Sequence, residues 1–167
     1  MRLLFLFAIA AAIVFPVRWW VVEPIYIPTA SMAPTLPVGR HLFCDKVTLR
    51  LREPERGDIV AFRPPTGAEH EMVKRVIGLP GETIELRQKT VYLDGKPLEE
   101  PYKVHSRGDE RLQGDDLGPY QIPPNQFFVL GDNRDESDDS SVWKDEDGKP
   151  APFVSRRRLT CLVRGIY

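Results

Sequence analysis

The stretch that decides the fold of this chain reads Met72-Val73-Lys74-Arg75-Val76-Ile77-Gly78-Leu79-Pro80-Gly81. Its apolar and β-branched residues end at a Pro-Gly turn signal, a pattern that is typical of a β-strand. Successive side chains of an extended strand point to opposite faces, so Lys74 shares a face with Met72 and Val76. The stretch therefore predicts a strand in which a lysine lies between apolar neighbours.

Similar short runs, rich in β-branched and aromatic residues, recur between turn signals along the rest of the chain. Sixteen prolines break any long helical period, and Asp94-Gly95 supplies the positive φ angles of a type I′ hairpin turn. The polar segment 103–119 predicts a long loop outside the core. We predict a mostly β fold, an antiparallel sheet or barrel-like domain, with strands at residues 41–47, 58–62, 71–79, 83–86, 90–93, 127–130 and 159–166.

The first 22 residues differ in composition from the rest of the chain. Nineteen of them are hydrophobic and none is acidic. At ~1.5 Å per residue, a helix of about 20 residues spans the ~30 Å core of a bilayer, and Trp19 and Trp20 lie where indoles favour the membrane interface. We predict a single N-terminal transmembrane helix over residues 1–22 and one β-rich domain over residues 23–167.

A cleaved signal peptide is the alternative interpretation of this leader. Small-x-small triplets at residues 8–10 and 10–12 fit the cleavage pattern. Cleavage there would leave the hydrophobic residues 13–22 on the new terminus, so we favour the uncleaved anchor. Charge leaves the orientation open, because Arg2 and Arg18 flank the segment on both sides.

Charge and composition exclude several function classes. The chain has 23 basic and 24 acidic residues, so it lacks the positive surplus that nucleic-acid binding needs. Three histidines and two cysteines are too few for a metal cluster or a disulfide framework, and we expect neither a metal nor a cofactor. Cys44 and Cys161 lie in predicted strands, and pairing and free buried thiols remain open alternatives.

A serine lies between two prolines in the segment Ile27-Pro28-Thr29-Ala30-Ser31-Met32-Ala33-Pro34. A proline-braced linker is one interpretation, and a positioned nucleophile is the other, but a serine needs a base to act as a nucleophile. No histidine lies in a segment that marks it as that base. His41 opens a predicted strand, His70 follows a turn, and His105 lies in the polar segment.

Lys74 is the other candidate base. Burial among apolar neighbours disfavours the ammonium form and lowers the pKa of a lysine toward the range of a general base. The alternative is that Lys74 reaches solvent from an edge strand.

A third unusual segment, Gly131-Asp132-Asn133-Arg134-Asp135-Glu136-Ser137-Asp138-Asp139-Ser140, follows the predicted strand 127–130. Four residues match ligand positions of an EF-hand loop: Asp135, Ser137, Asp139 and Glu146. Ser140 occupies the position of the usual glycine and no helices flank the segment, so we do not expect calcium binding. A solvated acidic loop explains the charge, but not the dense turn chemistry beside an apolar strand.

Together these segments resemble the bacterial type I signal peptidases, which are membrane-anchored serine proteases with a Ser/Lys dyad on a β fold. The resemblance covers most of the chain, and its motifs occur in the family's order. They are Ile27-Pro28-Thr29-Ala30-Ser31-Met32, Arg56-Gly57-Asp58-Ile59-Val60, Lys74-Arg75-Val76-Ile77-Gly78-Leu79-Pro80-Gly81, and Gly131-Asp132-Asn133-Arg134-Asp135 with Ser137 and Asp139.

The resemblance implies a role for each matching residue. Ser31 matches the nucleophile and Lys74 the general base. The Thr29 hydroxyl and the Ser31 backbone N–H match the donors that stabilise the oxyanion. Ser137 matches the residue that orients the lysine. Three residues match supporting positions near the site, namely Asp132 and Arg75 as an ion pair, and Asp139.

The implied function is removal of N-terminal signal peptides from secreted preproteins, after small-x-small (Ala-x-Ala) sites and through an acyl-enzyme. Ile27, Pro28 and Val73 match positions that line the pockets for the small side chains. The implied location is the inner cell membrane, with a single span and the catalytic domain on the extracytoplasmic, periplasmic side. Preprotein signal peptides, membrane lipid and the secretion translocon are the implied partners.

Two alternatives to this function remain. One is a specialised Ser/Lys processing peptidase for a conjugation or pilus precursor. The other is a membrane-anchored β module that binds partners without cutting them, and that reading gives Lys74 no role.

The chain departs from the family pattern in two places. Ser141 stands where the family usually has an arginine, so we expect Asp139 to lack its usual partner. Residues 144–150 look inserted after Trp143, where a Trp-Gly pair is common.

Overall fold

The computed structural model describes residues 2–67 and 70–166, and only the backbone of residues 3–4, 8, 13, 15–19 and 165–166. A helix, α1, spans Arg2–Trp20, and a short helix, α2, spans Thr48–Leu51. The predicted interfacial placement of Trp19 concerns a side chain outside the described residues. Among the residues that the structure describes, no helix has the length and apolar character required to cross a bilayer.

Eleven strands are present in the described part of the chain. In chain order, β1 to β11 span Val22–Tyr26, His41–Asp45, Ile59–Phe62, Met72–Gly78, Thr83–Arg87, Thr90–Leu93, Lys96–Pro97, Leu117–Gln121, Gln126–Leu130, Val154–Ser155 and Leu159–Ile166. Single 3₁₀ turns cover Ala30–Met32, Arg134–Glu136 and Arg156–Arg158. The prediction of a mostly β, antiparallel fold is confirmed.

The strands form two sheets. The first has the order β1-β2-β11-β3-β4-β9-β10, the second has the order β7-β6-β5-β8, and neighbouring strands run antiparallel. The Asp94-Gly95 turn joins β6 to β7, with positive φ angles of 49° and 78° as its sequence predicts.

Each of the seven predicted strands is present, with small shifts at its ends. The largest shift is in the strand predicted at 41–47, which ends at Asp45. The Asp45 carboxylate accepts hydrogen bonds from the backbone N–H groups of Val47 and Thr48, at 2.9 and 3.0 Å. These two N–H groups are therefore not available for hydrogen bonds to a neighbouring strand, so the strand ends and the chain turns toward α2.

The prediction of a loop over 103–119 is wrong at its C-terminal end. Residues from Leu117 onward form β8, which pairs with β5. Pro119 has no N–H to donate, and a proline inside a run argues against a strand except at a sheet edge. β8 is such an edge, and so is β1, which contains Pro24.

The core has one part within the first sheet and another between the two sheets. The first part includes Val60, Phe62, Val76 and Val129, all of which are fully buried. The second joins side chains of both sheets: Ile77, Phe128 and Leu130 from the first, and Ile84, Leu86 and Val91 from the second, together with Ile122. β4 therefore contributes to both parts of the core, which places the strand of Lys74 at the centre of the fold.

Cys44 and Cys161 form a disulfide, which settles the alternative left open by the sequence. Cys44 lies on β2 and Cys161 on the neighbouring strand β11, with 5.5 Å between their Cα atoms. Both are buried, and Ala61 packs in the same cluster. Because 117 positions separate them, the bond closes a long loop and restricts the unfolded chain.

We expect the double variant Cys44→Ala, Cys161→Ala to lower the free energy of unfolding by about 2–4 kcal/mol. Denaturant titration followed by tryptophan fluorescence measures this loss, because Trp143 is buried. Reduction should destabilise the wild-type protein by a similar amount and leave the double variant unchanged. Equal unfolding midpoints for oxidised and reduced wild-type protein would contradict the prediction.

Candidate active site

The 3₁₀ turn Ala30–Met32 holds Ser31 at the end of the segment that follows β1. Met32 is 1% exposed and packs with Ile27 and Leu36, which anchors the turn in an apolar cluster. Ser31 itself is 6% exposed, and its backbone C=O accepts a hydrogen bond from the Asn133 N–H at 3.0 Å. The turn is therefore attached to the Gly-Asp-Asn-Arg-Asp motif across the fold.

Lys74 lies on β4, between β3 and β9, so the edge-strand alternative is wrong. Its partner in the β3 ladder is Val60, which belongs with Val76 to the first part of the core. Lys74 is 4% exposed, and within the described part of the chain no hydrogen bond or ion pair is formed by its Nζ. The Lys74 side chain therefore leaves the sheet between apolar neighbours.

Burial lowers the pKa of Lys74 below its ordinary value, because an ammonium group loses its hydration inside the protein. The carboxylates of Asp139, Asp138 and Asp132 oppose this shift by favouring the charged form. Desolvation is the larger effect, so the environment favours a neutral amine relative to a lysine in water.

Ser31 and Lys74 line the same cleft, which has a volume of about 230 Å³. The cleft brings together most of the residues predicted to touch a substrate. The residues that line it are Tyr26, Ile27, Pro28, Thr29, Ser31, Met32, His70, Glu71, Met72, Val73, Lys74, Glu136 and Asp138. The Thr29 hydroxyl lies 3.2 Å from Ser31 Oγ, within reach of a group bound at that oxygen.

The structure also places His70, which the sequence does not mark as a base, at this cleft. Its side chain is exposed, and the structure records no hydrogen bond between it and any described residue. A histidine at the rim is chemically able to accept a proton, so an experiment has to distinguish it from Lys74.

The remaining predicted site residues lie behind the cleft. Arg75 donates to both carboxylate oxygens of Asp132, at 2.8 and 2.6 Å. It also donates to the Gly57 C=O at 2.9 Å and lies over the Tyr102 ring, 4.0 Å from its centre. The bidentate ion pair and the contact with the ring hold the Arg75 guanidinium in one position. The guanidinium in turn holds Asp132, and with it the Gly-Asp-Asn-Arg-Asp motif, in place.

Asp139 has no arginine partner among the described residues, and neutral donors take that place. Its Oδ1 accepts hydrogen bonds from the backbone N–H and the hydroxyl of Ser141, at 3.0 and 2.8 Å. Its Oδ2 accepts from the Gly131 N–H at 2.9 Å and from the Ser137 hydroxyl at 2.5 Å. Ser141 therefore supplies two neutral donors to the carboxylate.

The Ser137 hydroxyl is engaged with Asp139, and no hydrogen bond between Ser137 and Lys74 is present in the described residues. Its predicted role toward the lysine stays a prediction. Asp139 is 1% exposed, so its charge lies in the same interior as the Lys74 amine.

The insertion predicted at 144–150 forms a small hairpin. Lys144 bridges to Pro150, and the Asp145 N–H donates to the Lys149 C=O at 2.8 Å. Trp143, before it, is buried and meets the Phe62 ring edge-on, with 5.9 Å between the ring centres. The hairpin therefore extends from a fixed core residue and contributes none of the described residues that line the cleft.

The polar segment 103–119 is attached to the motif through Asp135, a contact that the sequence pattern does not indicate. Asp135 accepts hydrogen bonds from the Arg107 N–H at 2.8 Å and pairs with His105 Nδ1 at 3.0 Å. Burial alone would raise the pKa of Asp135, but the effect of these hydrogen bonds is larger and holds that pKa below its usual range.

Among residues 2–67 and 70–166, no group of three or more His, Cys, Asp or Glu residues is arranged to hold a metal ion.

Gly131 permits the closest contact in this part of the molecule. A Cβ at this position would lie 2.5 Å from the Ser31 backbone oxygen and would also overlap Ser137 Oγ. Any other residue would therefore push the Ser31 turn and the motif apart. The glycine that opens the motif is the sequence signal for this contact, but only the structure shows what approaches it.

A family model described as signal peptidase, peptidase S26, matches residues 1–167. A probable signal peptidase I-2 of Synechocystis sp. is 40% identical over 148 residues, which cover 86% of this chain and 62% of that protein. A signal peptidase I of Bacillus amyloliquefaciens is 40% identical over 136 residues, 79% of this chain and 70% of that protein. This chain thus spans less than two thirds of the length of the Synechocystis relative.

The fold is also similar to a solved structure. The crystal structure of a signal peptidase I from Enterococcus faecalis V583 matches with a TM-score of 0.51 and 31% sequence identity. The match covers 68% of this chain and 98% of that one.

We expect Gly131→Ala to lower the free energy of unfolding by about 1–3 kcal/mol, because the added methyl group overpacks the contact with Ser31. Hydrogen exchange gives the local measurement: the Asn133 amide, which donates to Ser31, should exchange faster. Gly148→Ala is the control, since Gly148 has a φ of 77° and open space around it. It should carry a backbone cost alone, and unchanged Asn133 exchange in Gly131→Ala would contradict the proposed contact.

Proposed function

The chain belongs to the signal peptidase family, peptidase S26, and we propose that it is a serine endopeptidase that removes signal peptides with Ser31 as nucleophile and Lys74 as general base. The observation that carries this proposal is the meeting of Ser31 with a buried lysine in one cleft. A lysine can serve as a base only when it is neutral, and burial favours that form.

In the proposed reaction the neutral Lys74 amine takes the hydroxyl proton as Ser31 Oγ bonds to the scissile carbonyl carbon. The negative charge that develops on the carbonyl oxygen is stabilised by the Ser31 N–H and the Thr29 hydroxyl. The Lys74 ammonium then gives its proton to the leaving amine as the C–N bond breaks, which leaves an acyl-enzyme. Lys74 next takes a proton from water as the water oxygen bonds to the ester carbon. The C–Oγ bond then breaks, Ser31 Oγ takes the proton back from Lys74, and the cleaved signal peptide leaves with a new C-terminal carboxyl group.

The walls of the cleft support a preference for small residues before the cut. Ile27 is 4% exposed and fixed in the core beside Met32, while Pro28 and Val73 line the same cleft. We propose that these three side chains form the pockets for a small-x-small site such as Ala-x-Ala. Size exclusion separates substrates by only ~1–3 kcal/mol per methylene, so a second contribution to selectivity is needed.

A membrane anchor supplies that contribution. We propose that residues 1–22 form a single span and that residues 23–167 form the catalytic domain on the extracytoplasmic side, in contact with lipid and close to the translocon. Enzyme and preprotein held in one membrane meet at a high effective concentration. The Cys44–Cys161 disulfide supports this side of the membrane, because such bonds persist in oxidising compartments.

We expect Ser31→Ala and Lys74→Ala each to reduce cleavage of an Ala-x-Ala preprotein by at least ~10³-fold, since the two residues act as one unit. Incubation of the full chain in detergent, followed by mass spectrometry of the products, maps the cut. His70→Ala is the matched control for a histidine base and should keep most of the cleavage.

Circular dichroism should show that both inactive variants remain folded. Loss of cleavage in His70→Ala with survival in Lys74→Ala would assign the base to the histidine. Failure of the wild-type protein to cut would favour the binding module, and a cut restricted to one pilus or conjugation precursor would favour the specialised peptidase.

The pKa of Lys74 also sets the expected pH dependence. Only the neutral amine is a base, so kcat/KM should rise with pH through the pKa of Lys74 and fall on the acid side. Because burial lowers that pKa, the acid limb should lie below the ~10.4 of an ordinary lysine. The pH profile of peptide cleavage measures it.

Two variants make the profile specific. His70→Ala should keep the acid limb, since the titrating group is the lysine. Lys74→Arg should be inactive at every pH, because a guanidinium does not lose its proton in a protein. An acid limb that disappears in His70→Ala would contradict the assignment.

A further inference from the structure

The cleft carries acidic side chains on two of its walls. Glu71 directly precedes β4, while Glu136 and Asp138 lie at and after the second 3₁₀ turn, and all three line the cleft with Ser31 and Lys74. Lys74 is the only lysine or arginine among the described residues that line it. The charge of the cleft is therefore set by these carboxylates and by the protonation of the Lys74 amine and of the His70 imidazole, which lies at its rim.

Two of the three carboxylates form no ion pair with any residue that the structure describes. Glu136 pairs with Arg107, with 3.0 Å between Oε1 and Nη2. Glu71 and Asp138 are exposed, and neither forms a hydrogen bond or an ion pair with a described residue. Asp138 is also among the carboxylates that act on the Lys74 amine, which places its charge close to the proposed dyad.

The amine itself does not balance these charges. Lys74 is 4% exposed, faces the cleft and has no hydrogen-bond partner among residues 2–67 and 70–166. In the form that acts as a base it is uncharged, so the working cleft keeps two unpaired negative charges. Such a field attracts a cationic group of a substrate and repels an anionic one.

We propose that Asp138 and Glu71 are specificity-determining residues that favour preproteins with a lysine or arginine beside the cleavage site and disfavour those with an acidic residue there. This inference rests on the proposed function. The small residues at positions −1 and −3 of the substrate occupy the pockets of Ile27, Pro28 and Val73. The nearest positions left for a charged side chain are position −2 and the first two positions of the mature chain.

The strand geometry is consistent with such a role. Glu71 directly precedes β4, two positions before Val73, and both residues line the cleft. Asp138 lies beside the reacting groups on the other wall. The two carboxylates are thus able to act on different parts of one bound peptide.

Exposed charges act through a solvent-like dielectric, so we expect each carboxylate to change kcat/KM by about two- to fivefold. The effect should weaken as salt is raised, because ions screen exposed charges beyond a Debye length of ~10 Å at 0.1 M. A steric or purely structural role for either residue predicts no such salt dependence.

The test uses the full chain in detergent and a set of Ala-x-Ala peptides that differ at one position. Lys, Gln or Glu is placed at position −2, +1 or +2, and kcat/KM is measured at low and high salt, above the acid limb of every protein compared. Asp138→Asn and Glu71→Gln remove the charges with little change of shape. Asp109→Asn and Glu146→Gln are matched controls, since both are exposed acidic residues outside the cleft.

We expect wild-type protein to cleave the Lys peptide faster than the Glu peptide at one or more of these positions. The Lys-to-Glu ratio should fall toward one in Asp138→Asn or Glu71→Gln, further in the double variant, and stay unchanged in both controls. Equal rates for the three peptides, or a ratio that the cleft variants leave intact, would overturn the inference. Absence of cleavage of the uncharged Gln peptide would instead overturn the proposed function.

Discussion

Burial of the Lys74 amine is the constraint on which the rest of the site depends. A charged ammonium group inside a protein loses hydration that amounts to several kcal/mol unless a partner replaces it, and Lys74 has no direct partner in the described structure. The interior position of β4 therefore favours the neutral amine. The carboxylate of Asp139 pulls in the other direction, and since neutral hydroxyl and N–H groups hold it in place, its charge is not cancelled.

Because an amine buried on a strand cannot move far, Ser31 has to be brought to it. The turn that carries Ser31 is fixed on one side by Met32 in the core and on the other by the Asn133 hydrogen bond. Gly131 allows this second contact by leaving room for the Ser31 carbonyl. Catalytic groups gain from being held in place before the substrate binds, since little reorganisation is then needed during the reaction.

Local patterns in the sequence predict much of this structure. The alternation in β4 predicts both the strand and the apolar neighbours of Lys74, and turn signals mark each of the seven predicted strands. The edge strands β1 and β8 are missed because Pro24 and Pro119 weaken their local signal, while pairing with a neighbour stabilises them. The partner of Asp139 is missed for another reason: a family pattern names the absent arginine, but only three-dimensional placement shows that Ser141 donates twice in its stead.

The same carboxylates link the protonation of the base to the charge that a substrate meets. When Lys74 carries a proton, its positive charge offsets part of the field of Asp138 and Asp139, and when it is neutral that field extends into the cleft. In the proposed mechanism the reactive state of the cleft is thus also its most anionic state. When Lys74 is neutral, a cationic side chain of the substrate meets the carboxylates of the cleft and no ammonium charge. The same cationic side chain disfavours reprotonation of Lys74, because like charges repel. Under the proposed mechanism, substrate charge and the pKa of Lys74 are therefore coupled, and a basic peptide bound in the cleft would lower the pH at which the amine becomes neutral.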